Sequence, residues 1–83
     1  MALLFSDTVE AGDVSDPIDV VANTLLGVIV DTQAQILVEN EESGVYQPLA
    51  LVTGPDIVVS PGVSIKVQAL TADVQITIQG EEP

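Results

Sequence analysis

Residues 63–79 read VSIKVQALTADVQITIQ. In the first half, Val63, Ile65, Val67 and Ala69 alternate with Ser64, Lys66 and Gln68. In the second, Val74, Ile76 and Ile78 alternate with Gln75, Thr77 and Gln79. A strand points successive side chains to opposite faces, so each half puts its apolar residues on one side and its polar residues on the other. Both halves therefore read as half-buried antiparallel strands with one wet face. The polar link LTAD at 70–73 is short enough for a hairpin turn between them.

The same period extends upstream. AQILVE at 34–39 alternates, and NEESG at 40–44 follows as a polar turn with Gly44 available for positive φ. VYQPLALV at 45–52 is its return strand. Pro48 lacks a backbone donor, which puts this strand at an edge or beside a bulge. TGPD at 53–56 and PG at 61–62 are turns around the short strand IVVS at 57–60. TLLGVIVD at 24–31 is the most apolar segment and reads as a strand covered on both faces, with Gly27 marking a bulge or a close approach. IDVVA at 18–22 precedes it as a first strand, and LLF at 3–5 is a further candidate. No window keeps a helical period without Gly or Pro interrupting it. Short strands with frequent turns predict an all-β fold: a small antiparallel β-sandwich or jelly-roll-like barrel.

The chain has 83 residues, which suits one small domain with a limited core. There is no Cys and no His. That removes disulfides, thiolate metal sites and the commonest neutral-pH proton carrier. Oligomerisation is the remaining expected support. Phe5 and Tyr46 are the only aromatic residues, so the core must be aliphatic. The net charge is −12, with Lys66 the only basic side chain. Such a surface repels nucleic-acid backbones and anionic membranes. MALLFSD lacks a basic n-region and a long apolar run, so folding in a cytoplasm is expected.

Residues 1–17 differ from the rest. SDTVEAGDVSDPID at 6–19 carries Asp7, Glu10, Asp13, Asp16 and Asp19, one carboxylate at every third residue. In a strand that spacing alternates faces, and in a helix it stacks like charges. The ligand spacing of a calcium loop is absent. No metal or cofactor site is expected here, nor at ENEES, 39–43, which reads as a hairpin loop. Residues 1–17 are read as an extended acidic N-terminal arm and residues 18–83 as the sandwich domain. The arm is the expected partner-binding segment, with Leu3, Leu4 and Phe5 as apolar anchors and Asp7, Glu10, Asp13 and Asp16 facing a basic surface. Deleting residues 1–16 is then expected to leave a folded sandwich that no longer joins its assembly.

Catalysis is not expected. A nucleophilic Ser has only Lys66 as an amine base, and Lys66 reads as a solvated charge on a strand's polar face. Carboxylate pairs can cleave glycosides, but the aromatic platforms of carbohydrate sites are missing.

The order of features over 34–79 is strand, Gly-containing turn, aromatic-led apolar strand, TG turn, short strand, PG turn and a final pair whose first strand carries a basic residue. This order, covering a little over half the chain, resembles small β-sandwich structural proteins of tailed bacteriophages, which decorate capsids or build head and tail appendages. Those proteins commonly have Trp at the position of Tyr46 and Arg at that of Lys66. The resemblance implies a non-catalytic virion accessory protein that is oligomeric, often trimeric. Its partner would be a major capsid or tail protein, and it would assemble in the bacterial host cytoplasm. Two other classes stay open: an acidic nucleic-acid mimic inhibiting a host enzyme, and a receptor- or glycan-binding module.

Overall fold

A computed structural model describes residues 1–83. The chain forms eight strands: β1 (Ala2–Val9), β2 (Ile18–Asp19), β3 (Leu25–Val30), β4 (Ala34–Glu39), β5 (Tyr46–Val52), β6 (Asp56–Val59), β7 (Ser64–Ala69) and β8 (Val74–Gly80). They make two antiparallel four-stranded sheets. Sheet I has the order β1-β8-β3-β6, and sheet II the order β2-β7-β4-β5. The expected β-sandwich is the observed architecture.

The core lies between the sheets. Sixteen buried residues form one cluster, all of them Val, Ile, Leu or Ala. Period-two alternation supplies them: Ile65, Val67 and Ala69 from β7 meet Val74, Ile76 and Ile78 from β8 across the gap. Close packing of branched aliphatic side chains excludes water and supplies the main favourable energy of so small a domain.

The 63–79 stretch therefore has the predicted strands, but they are not a hairpin. β7 belongs to sheet II and β8 to sheet I, so residues 70–73 cross from one sheet to the other. Each apolar face must cover another apolar face, and crossing lets these two cover one another. The β4–β5 link alone joins neighbours in one sheet; every other connection changes sheets. β5 lies at the edge of sheet II, and its register shifts beside Pro48.

The separate arm is replaced by integral structure. β1 pairs with β8 from Ala2↔Gly80 to Val9↔Val74 and forms an edge of sheet I. Its register shifts between Leu3 and Phe5. The bulge turns two successive residues, Leu4 and Phe5, onto the core, as the β5 bulge does for Leu49 and Ala50. Gly80 leaves the room this needs. A Cβ there would stand 2.7 Å from Leu26 Cδ2 and 3.1 Å from Leu4 Cδ1.

Residues 10–17 are also fixed. The turn at 10–13 is closed by the Asp13 N–H donating to the Glu10 carbonyl at 2.9 Å, with Gly12 at φ +81°. The chain then runs along β7. Gly12 and Ser15 N–H groups donate to the Ala69 and Val67 carbonyls, and Ala69 N–H donates to the Asp13 carbonyl. The carboxylates of the segment are exposed while its backbone groups pair. Val9 and Ile18 anchor the two ends in the core.

Candidate binding face

Alternation in sheet I leaves a second set of side chains pointing away from the core. Across its strands the registers align Leu3, Gln79, Gly27 and Ile57 in one row. Leu25 and Val59 make the row on one side. Ser6, Thr77 and Ile29 make the row on the other, with Thr8 and Gln75 beyond. None of these residues is charged. The aliphatic ones stand open: Leu3 is 63% exposed, Leu25 58%, Ile29 54% and Ile57 58%. Met1 joins them, its Sδ 3.9 Å from where a Gly27 Cβ would be. The polar end is tied across strands by Thr8 Oγ1 donating to Gln75 Oε1 at 2.6 Å.

This corrects the reading of TLLGVIVD. β3 is central in its sheet, but only Leu26, Val28 and Val30 are covered. Gly27 is no bulge, since the register on both sides of it is continuous. It is the floor of a shallow depression lined by Ile29, Pro55, Asp56, Ile57 and Gln79, with the Met1 sulfur beside it.

The outer face of sheet II is finished differently. Lys66 and Tyr46 sit there with Glu39, Leu37, Gln35 and Gln68. The Lys66 Nζ lies 4.3 Å from the centroid of the Tyr46 ring, a cation–π arrangement. The Tyr46 hydroxyl bonds the Ser64 hydroxyl at 2.7 Å. Lys66 is thus partly buried against a ring instead of being a free solvated charge.

The seven residues expected to bind a partner are divided by the fold. Leu3 lies on the open face of sheet I. Leu4 and Phe5 are half-buried against the core and are spent on folding. Asp7, Glu10, Asp13 and Asp16 border one open groove between the edge of β1 and the 10–16 segment. No three of the acidic residues are grouped so that they could hold a metal ion. The groove is held open by structure: the Ala11 N–H donates to Asp73 Oδ1 at 2.9 Å, and Val67 N–H to Ser15 Oγ at 2.9 Å.

Sequence reasoning missed Leu25, Ile29, Ile57 and Val59 as surface residues. The signal present was the strength of the apolar run in 24–31, which was read as burial within the chain. No family model, curated protein or solved structure matches this chain.

Proposed function

We propose that the chain is a non-enzymatic virion structural protein of a tailed bacteriophage, a capsid decoration protein or a head–tail accessory protein. It joins a viral lattice by surface complementarity and assembles in the bacterial host cytoplasm. The observation that carries this reading is the outer face of sheet I: an uncharged surface with Leu3, Leu25, Ile29, Ile57 and Val59 exposed, on a chain of net charge −12. Contiguous exposed apolar surface of that kind marks a contact with another macromolecule. The acidic groove along β1 is a second contact of opposite character, suited to a basic patch on a capsid or tail protein. Weak contacts of both kinds multiply by valency on a lattice.

The competing classes have less support. A nucleic-acid mimic needs a continuous acidic face; here one broad face has no carboxylate, and the other mixes Asp19 and Glu39 with Lys66. A glycan site needs a free aromatic platform, and the one Tyr ring is engaged by Lys66.

The test is incorporation. The tagged chain is expressed in a host producing the phage that encodes it, and particles are purified by gradient sedimentation. Stoichiometric recovery in particles, lost when Leu3 and Ile57 are both changed to Ser, supports the reading. A chain abundant in the lysate and absent from particles overturns it.

A further inference from the structure

Each sheet ends in two edge strands, and an edge strand offers unpaired N–H and C=O groups to any strand that approaches. Sheet II interrupts its own edges: β5 carries Pro48 beside a bulge, and β2 is two residues long and follows Pro17. Sheet I ends in β1 and β6. Beyond the bulge between Leu3 and Phe5, β1 is regular to Val9, and β6 has neither bulge nor proline. The ladder decides what these two edges present. The Asp31 N–H donates to the Gln75 carbonyl at 3.3 Å, and the Gln75 N–H donates to Asp31 Oδ1 at 2.9 Å. Both backbone groups of Gln75 are thus directed to the β3 side. Thr8 stands opposite Gln75 on the other side, so its N–H points away from β8, to the free edge. Ser6, opposite Thr77, points the same way. Backbone direction alternates along a strand, and the β3–β8 register is unbroken, so Gly27 is directed to Gln79. Its other neighbour, Ile57 on β6, therefore also points its N–H outward.

One outward N–H at each edge is already taken. The Thr8 N–H donates to Asp7 Oδ1 at 2.7 Å, and the Ile57 N–H to Asp56 Oδ1 at 2.8 Å. The two aspartates also hold equivalent places in their strands. Asp7 lies between Phe5 and Val9; Asp56 lies opposite Val28 and two residues before Val58; all four neighbours pack in the core. Period two would send both carboxylates inward, yet both are exposed, Asp7 at the groove beside β1 and Asp56 at the Gly27 depression. We infer that Asp7 and Asp56 are edge guards, which close both ends of sheet I to strand addition. Each acts twice. Its oxygen occupies an N–H that an incoming strand must pair with, and its charge lies where that strand would cover it. Covering a carboxylate that has no cation beside it costs its hydration, and Lys66, the one basic side chain, is on the other sheet. Glu10, Asp13 and Asp16 line the same groove as Asp7 and add to the cost there. Inward-pointing charges are one of the devices by which sheet edges avoid pairing. The guards leave the face of sheet I, and not its edges, for any partner, whether or not that partner is a viral lattice.

Sedimentation velocity and amide hydrogen exchange of the full chain test this. Asp7→Ala and Asp56→Ala, singly and together, remove the guards from exposed positions. Glu41→Ala with Glu42→Ala removes the same charge as the double variant, in the exposed loop between β4 and β5, away from both edges of sheet I. The double variant is expected to shift to larger species than the wild type, growing with concentration. As they form, the outward amides of Ser6, Thr8 and Ile57 are expected to exchange more slowly. The single variants are expected to show that slowing at one edge only, at Ser6 and Thr8 for Asp7→Ala and at Ile57 for Asp56→Ala. The Glu41 and Glu42 control is expected to sediment as the wild type does. A double variant that sediments like the wild type overturns the inference. So do larger species whose outward amides exchange at an unchanged rate, and so does equal association of the control.

Discussion

On the outer face of sheet II, Lys66 covers the Tyr46 ring, Ser64 takes the Tyr46 hydroxyl, and Asp19 and Glu39 keep the surface wet. On the outer face of sheet I, Leu25, Ile29, Ile57 and Val59 have no covering side chains. Both faces are built on the same pleat and back onto the same core. The difference lies in which surface is finished by the chain itself. Sheet II engages Tyr46 and Lys66 internally, through a cation–π contact and one hydroxyl pair, and leaves Leu51 as the one strongly exposed aliphatic side chain of its strands. Sheet I presents branched aliphatic residues that the chain leaves exposed.

Removing β1 is the most severe way to break the comparison. Deleting residues 1–9 uncovers the edge of β8 and takes Leu4, Phe5 and Val9 from the core. A domain of this size has on the order of 5–15 kcal/mol of stability, and losing an edge strand with three core contacts consumes most of it. The expected result is collapse of amide dispersion in a proton–nitrogen NMR spectrum. A truncated chain with native dispersion would restore the separate arm.

A smaller effect separates the two sides of a single strand. Leu26→Ala empties a fully buried site and should cost about 2–5 kcal/mol in urea unfolding. Ile29→Ala, three residues on but facing outward, should cost no more than about 0.5 kcal/mol. Equal costs would mean that the face of sheet I is packed within the monomer.

The smallest effects belong to sheet II. Tyr46→Phe removes the bond to Ser64 and should cost about 0.5–1.5 kcal/mol. Lys66→Gln removes the cation over the ring and should cost about 0.5–1 kcal/mol. A double-mutant cycle between positions 46 and 66 should show coupling, and incorporation into particles should not change. Loss of assembly in either variant would move the binding surface to sheet II.

Much of the fold was legible from alternation alone. β4 occupies Ala34–Glu39 as its pattern predicts, and Pro48 marked both the edge position and the bulge of β5. The candidate site was legible only in part. Leu3 is exposed on the outer face of sheet I, but the carboxylates make residues 6–16 read as a loose segment. Their backbone groups were committed to β7 at Ala69 and Val67, more than fifty residues away in sequence, and no local pattern records such a bond.

The sequence by itself determined that this chain is all-β, that its core is aliphatic, and which residues of each strand face together. Those properties follow from the two-residue pleat and from the affinity of each side chain for water, both of which are local. Only the tertiary structure decided which sheet each strand joins. That choice placed β7 opposite β8 instead of beside it, brought β1 into the sandwich and left one side of β3 open. Sheet membership is settled by which apolar faces can cover one another across the core. That depends on partners distant in the chain, and for the outer face of sheet I the chain itself supplies none.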